Sequence, residues 1–161
     1  MAFVNQFSYL LLAGITLLLV GWLILRSRNA SARWAALAAL AAGLILSYWI
    51  FNPGPGDSVD LSGYLPGSTH PTAVLLEFES PYCLGCMAAQ STLDHVRRTY
   101  AGDLQVVQVN VLESSASSLL SAYGFRYTPT FIYLDRSGVE LWRSVGTLDP
   151  ELVAQAQERA R

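Results

Sequence analysis

Apolar and polar positions follow two regimes along the chain. Phe7 to Leu25 is an unbroken run of 19 uncharged, mostly aliphatic residues, and Trp34 to Phe51 is a second run of 18, richer in Ala. Helices of that length rise about 28 Å, close to the hydrocarbon thickness of a bilayer, so both runs are expected to be membrane spans. Trp34 at one end of the second run, with Tyr48, Trp49 and Phe51 at the other, stands where interfacial aromatics are expected. Beyond Asn52 the pattern breaks into short elements. Ala73 to Phe78 is apolar apart from Glu77 and predicts a buried strand. Ala89, Leu93, Val96 and Tyr100 recur at helical spacing, with Arg97 and Arg98 near the C-terminal end, where cations suit the helix dipole. Leu104 to Val111 predicts a second strand, and Glu113 to Tyr123 a short helix closed by Gly124. Thr130 to Leu134 and Val139 to Val145 predict two strands joined by Asp135-Arg136-Ser137-Gly138. Asp149 and Pro150 supply an N-cap and a first-turn proline for a final helix. The expected order after the apolar runs is β-α-β-α-β-β-α.

Charge adds a topology. Between Met1 and Asn52 there is no acid, and the only charged side chains are Arg26, Arg28 and Arg33, in and beside the short loop between the two runs. The N-terminal tail and the twenty or so residues after Phe51 carry no Lys or Arg. The positive-inside rule therefore expects a cytoplasmic loop, with the N-terminus and the C-terminal domain on the outer side of the cell (inner) membrane. A cleaved signal peptide fits less well, because no basic segment precedes the first run and a second run follows it. Asn52-Pro53-Gly54-Pro55-Gly56-Asp57 cannot continue a helix. The expected organisation is a transmembrane hairpin over 1–52 with spans at 7–25 and 34–51, a linker over 53–72, and a globular domain over 73–161. From Asp57 onward twelve acids face seven arginines, a net of −5. That leaves no electrostatic footprint for nucleic acid.

The candidate chemistry is Cys83-Leu84-Gly85-Cys86, placed between the first predicted strand and the helix that follows. A thiolate is the attacking species in disulfide exchange, and a cysteine at a helix N-terminus has its anion stabilised by unpaired N–H groups. That position belongs to Cys83. Cys86, one turn later on the same face, is placed to attack the mixed disulfide and release the product. A static disulfide across four residues, or two inert buried cysteines, are the plainer alternatives.

In these features the sequence resembles the thioredoxin family from about Ala73 to the end. Val74 to Phe78 followed by Ser80-Pro81-Tyr82-Cys83-Leu84-Gly85-Cys86 is similar to the family's active-site strand and turn. Tyr123-Gly124-Phe125-Arg126-Tyr127-Thr128-Pro129-Thr130 is similar to its segment ending in a cis-proline. The resemblance implies a thioredoxin-like α/β fold, a central mixed sheet flanked by helices, following the hairpin. It implies that Tyr82, Thr128, Pro129 and Gly146 border a groove in which Thr128 backbone groups meet an extended substrate segment. It also implies that Glu77, six residues before Cys83, stands where the family carries a buried acid able to exchange a proton with Cys86. Alternation puts Leu75 and Glu77 on one strand face and Leu76 and Phe78 on the other, so a solvent-facing Glu77 remains the alternative. Glu79 is expected at the surface, Arg126 and His95 in solvent, and His70 in the linker.

Departures from the family pattern bear on the direction of electron flow. Leu84-Gly85 replaces Gly-Pro, Met87 follows the motif where a cation is usual, and Gln108 stands where a Lys is usual. Two nearby acids and few cations are expected to disfavour the Cys83 thiolate, which points to a reductase of protein disulfides rather than a strong oxidant. The chain holds only two cysteines, both on the outer side in this topology, so a reductase would draw electrons from a separate transmembrane thiol carrier. No cofactor is called for. The rival readings are a Cu(I)-handling module using Cys83, Cys86 and Met87, or a binding module that uses the groove without turnover.

Overall fold

The computed structural model describes residues 7–26, 30–51 and 60–160. Two compact units divide the chain, one made by residues 8–57 and the other by the rest.

The first unit holds helix α1, Ser8–Arg26, and helix α2, Ala30–Phe51. Side chains are described over residues 8–24 and at Arg26 of α1, and over residues 30–46 of α2. Among the described residues no helix is long and apolar enough to cross a membrane, so the two expected spans are not supported there. Arg28 of the arginine loop, Asn52 at the end of the expected hairpin and residues 53–59 of the expected linker lie outside the described residues.

The second unit runs β1 (Ala73–Glu79), α3 (Leu84–Thr99), β2 (Leu104–Asn110), α4 (Ser117–Ala122), β3 (Thr130–Leu134), β4 (Glu140–Val145) and α5 (Pro150–Arg159). This is the β-α-β-α-β-β-α order expected from the pattern, with a 3₁₀ turn at Ser114–Ala116 leading into α4. The sheet order is β2-β1-β3-β4, with β1 parallel to β2 and the other pairs antiparallel. β1 lies inside the sheet, and its residues from Ala73 to Phe78 are buried on both faces. That explains the continuous apolar run better than alternation does.

Each face has its own core. Leu75, Leu93, Val96, Phe131, Tyr133 and Val153 pack between the sheet and helices α3 and α5. Val74, Leu76, Phe78, Leu119, Tyr123 and Ile132 pack on the opposite face beneath α4. Leu61, Tyr64 and Leu65 join this second cluster from a 3₁₀ turn at Leu61–Tyr64. The expected linker is therefore fastened to the domain over residues 61–70. Tyr123 donates its hydroxyl to the Tyr64 carbonyl at 2.9 Å, and the His70 N–H reaches the Arg136 carbonyl at 2.8 Å. His70 stacks on Tyr64 with ring centroids 5.3 Å apart.

Asp149 caps α5 by accepting the Glu151 N–H at 2.9 Å, and Pro150 occupies the first turn, as the sequence predicts. Gly124 after α4 and Gly138 in the β3–β4 hairpin both have positive φ, at 59° and 78°.

Candidate active site

The C-terminal end of β1 delivers the chain into a tight turn. The Cys83 N–H bonds the Ser80 carbonyl at 3.0 Å and the Tyr82 N–H bonds Ser80 Oγ at 3.3 Å. Cys83 is the N-cap of α3, in extended conformation, and its Sγ accepts the Cys86 N–H at 3.3 Å. The cap that Ser, Asp or Asn usually supplies is here a sulfur, which satisfies one of the orphan donors of the helix start. Cys83 and Cys86 are both free thiols and both buried.

The opposite wall comes from the segment before β3. The Thr128–Pro129 peptide bond is cis, and both residues are buried. A Cβ placed on Gly85 would lie 3.1 Å from Pro129 Cδ and 3.8 Å from Cys83 Sγ, so the absence of a side chain at Gly85 lets the proline close against the motif. Gly146, with φ of 91°, donates its N–H to the Pro129 carbonyl at 2.8 Å. Thr128, Pro129, Gly146 and the cysteine turn are thus brought to one end of the sheet. Tyr82 is half-buried beside Cys83, whereas Arg126 and His95 are exposed as expected.

The two thiols titrate in opposite directions. Cys83 is lowered to about 6, first by the hydrogen bond with the Cys86 side chain. Burial opposes this, and further hydrogen bonds from the Thr128 side chain and from the Cys86 and Gly85 backbone lower it. Cys86 is pushed well above its ordinary value, first by its hydrogen bond to Cys83 and then by burial, with the charges of Cys83 and Glu77 adding to both. The pair is therefore asymmetric, with one thiol ready as the anion and the other held protonated. The sequence expectation of a disfavoured Cys83 thiolate is reversed. Charges can be counted along a sequence, but donors aimed at the sulfur cannot, and here the donors outweigh the effect of burial.

Glu77 is fully buried on the α3 side of the sheet, the face of Leu75, so the solvent-facing alternative is excluded. Burial raises its carboxyl to about 7, against a lowering hydrogen bond from Gln108. Oε2 accepts Gln108 Nε2 at 2.9 Å, while Oε1 has no hydrogen-bond partner among the described residues. Glu79 is not a surface residue as expected. It closes the inner strand beside the motif, is half-buried, and is likewise raised to about 7, first by burial and then by Cys83. Glu79 and the Gly85 backbone are the parts of the site that sequence reasoning missed. The strand face shared with Glu77 was the available signal for the first. Among the described residues, no group of three or more His, Cys, Asp or Glu could hold a metal ion.

A mixed four-stranded sheet with helices on both faces, a dithiol at the start of the helix after the inner strand, and a cis-proline packed against it define a thioredoxin-like fold with a redox site. Residues 68–158 match the family model "Thioredoxin", and the chain belongs to the thioredoxin family. Thioredoxin 1 of a Nostoc species is 29% identical over 86 residues, which is 53% of this chain and 78% of that one. The "Thiol:disulfide interchange protein TxlA homolog" of a Synechocystis species is 27% identical over 124 residues, 74% of this chain and 67% of that one. A solved malarial thioredoxin-2, described as a component of the parasite's protein secretion machinery, is 20% identical with a TM-score of 0.49, over 54% of this chain and 82% of that chain. The domain is a thioredoxin-like thiol–disulfide oxidoreductase.

Proposed function

We propose that the chain is a membrane-anchored, extracytoplasmic reductase of disulfides in exported proteins. The observation that carries the redox role is Cys83 Sγ accepting the Cys86 N–H at 3.3 Å at the start of α3, with Pro129 packed over Gly85 beside it. The Cys83 thiolate attacks one sulfur of a substrate disulfide. That S–S bond breaks, a mixed disulfide forms on Cys83, and the first half of the substrate leaves as a thiolate that takes up a proton. Cys86 then gives its proton to the Glu77 carboxylate and attacks Cys83 Sγ, releasing the second half. Two electrons pass to the substrate, and the protein is left with a Cys83–Cys86 disulfide. Tyr82, Thr128, Pro129 and Gly146 border the groove that receives an extended segment of the substrate, in the manner of strand addition.

The reducing direction is supported by the Cys83 thiol at about 6, which stands nearer the ~7 of thioredoxins than the ~3.5 of the strongest oxidants of this fold. Membrane anchorage is supported by the acid-free sequence from Met1 to Asn52, with its two uncharged runs at 7–25 and 34–51. The arginines between the runs support an outward-facing domain. With both cysteines on that side, a separate transmembrane thiol carrier must return the electrons.

The test uses the full-length protein in detergent, equilibrated with glutathione redox buffers and assayed for reduction of a disulfide-bonded protein. Wild type exchanges and reduces, and Cys83→Ser falls to background. If wild type shows no exchange above Cys83→Ser, the enzymatic reading is lost. Cys86→Ser accumulates mixed disulfides, and the trapped partners identify the substrates.

A further inference from the structure

Glu77 is a carboxylate buried against α3 in a chain without a single lysine. Its register partner on β2 is Gln108, whose Nε2 donates to Glu77 Oε2 at 2.9 Å. The other end of that amide faces a cation, because Gln108 Oε1 accepts Arg97 Nη2 at 3.1 Å. Gln90 Oε1 lies 3.5 Å from the same Nε2, and Arg97 pairs with Asp94 at 2.9 Å. Positions 90, 94 and 97 are spaced by four and three residues, so one stripe of α3 lies over β2 and fixes the amide from above. The amide is held with its oxygen on the guanidinium and its N–H on the carboxylate. A cation at the oxygen polarises the amide and strengthens its N–H as a donor.

We propose that Arg97 is a positioning residue of the redox centre, conveying its positive charge to the buried Glu77 carboxylate through the side-chain amide of Gln108. This rests on the reading of Glu77 as the group that takes the proton of Cys86 during resolution. The remaining charged neighbours oppose ionisation of Glu77: Glu79 further along β1 and Cys83 at the start of α3 both raise it, and Glu77 in turn raises Cys86. β3 offers only Phe131 in register with Glu77. Gln108 and Arg97 are the two groups that lower it, and Asp94 shares part of the Arg97 charge. Arg97 is exposed near the C-terminal end of α3, about three turns from the cysteines, and neither thiol touches it in the reaction.

The experiment follows the resolving step itself in the full-length protein. Cys83 is loaded with 2-nitro-5-thiobenzoate, and release of the coloured thiolate by Cys86 is timed across pH, while the Glu77 carboxyl is titrated by carbon-13 NMR. In wild type both are expected to inflect near 7. Arg97→Met moves both inflections up by roughly half a unit, as expected of a partly exposed charge, and Gln108→Leu moves them by about one unit. Arg97→Lys keeps the charge and lies closer to wild type. In a Glu77→Gln background Arg97→Met has no further effect on release. Unchanged carboxyl titration in Arg97→Met and Gln108→Leu overturns the proposal, and so does an Arg97→Met effect on release that persists without Glu77. A carboxyl that shifts while release does not also overturns it, since the acid then does not serve Cys86. If the unaltered protein neither accepts nor releases the thiobenzoate, the oxidoreductase reading fails first and takes the proposal with it.

Discussion

At Glu77 a single carboxyl links stability to chemistry. Its folded value of about 7 lies above the ordinary 4.5, so the folded protein binds this proton more tightly than the unfolded chain does. The associated stability is fully present below about pH 4.5 and is lost as pH rises through 7. Glu77→Gln removes the titration. Denaturant unfolding should therefore find the variant close to wild type at pH 4.5 and more stable at pH 8, by up to about 3 kcal/mol. A constant difference across that range would refute the assignment. Cys83 works the other way: its depressed value contributes stability that is lost as pH falls through 6, so the comparison is made between variants and not from the wild-type curve alone. Gly85 separates packing from acidity. Gly85→Ala keeps the N–H but puts a Cβ 3.1 Å from Pro129 Cδ, a ring atom with little freedom to yield. KM for a protein disulfide should rise several-fold, while the pH profile of Cys83 alkylation stays in place. A shifted alkylation profile would mean that the Cβ disturbs the thiolate and not the groove.

Among the elements, the strands and helices of the domain were legible because their signals are local. The apolar run of β1, the valines of β2, the Gly124 stop after α4 and the Asp149-Pro150 start of α5 all act within a few residues. The docking of residues 61–70 was not legible. It rests on three apolar side chains and on backbone bonds such as Gly67 N–H to the Gly138 carbonyl at 3.4 Å, which leave no periodicity. The same holds for the site: the two cysteines and Glu77 stand out in the sequence, whereas the donors aimed at Cys83 come from backbone geometry. Gly138 makes the docking testable. A Cβ there would lie 2.3 Å from the Ser68 carbonyl oxygen, at a φ of 78°, whereas one on Gly124 would meet nothing within 4 Å. Gly124→Ala should cost about 1 kcal/mol from its positive φ alone. Gly138→Ala should cost at least about 2 kcal/mol, because the obstacle is backbone. Equal losses in thermal unfolding would argue that the 61–70 segment is not held at the hairpin.

For the whole molecule, the proposed topology is open to labelling in a chain whose two native cysteines are replaced by serine. A membrane-impermeant maleimide should modify Arg136→Cys in intact cells and Arg28→Cys only after permeabilisation. The reverse pattern would put the dithiol in the cytoplasm and remove the need for a carrier that moves electrons across the membrane. One consequence follows from where the 61–70 segment is fastened. It meets the domain at the β3–β4 hairpin, near the Ala73 end of β1, whereas the cysteines follow the Glu79 end. Seven extended residues separate the two, roughly 23 Å. The point of attachment and the reactive tip are thus opposite poles of one rigid sheet. Lengthening or shortening the chain before residue 60 should leave the exchange rate with a small soluble disulfide untouched. Under the proposed membrane anchorage, it should change only the rate of exchange with partners held in the same membrane.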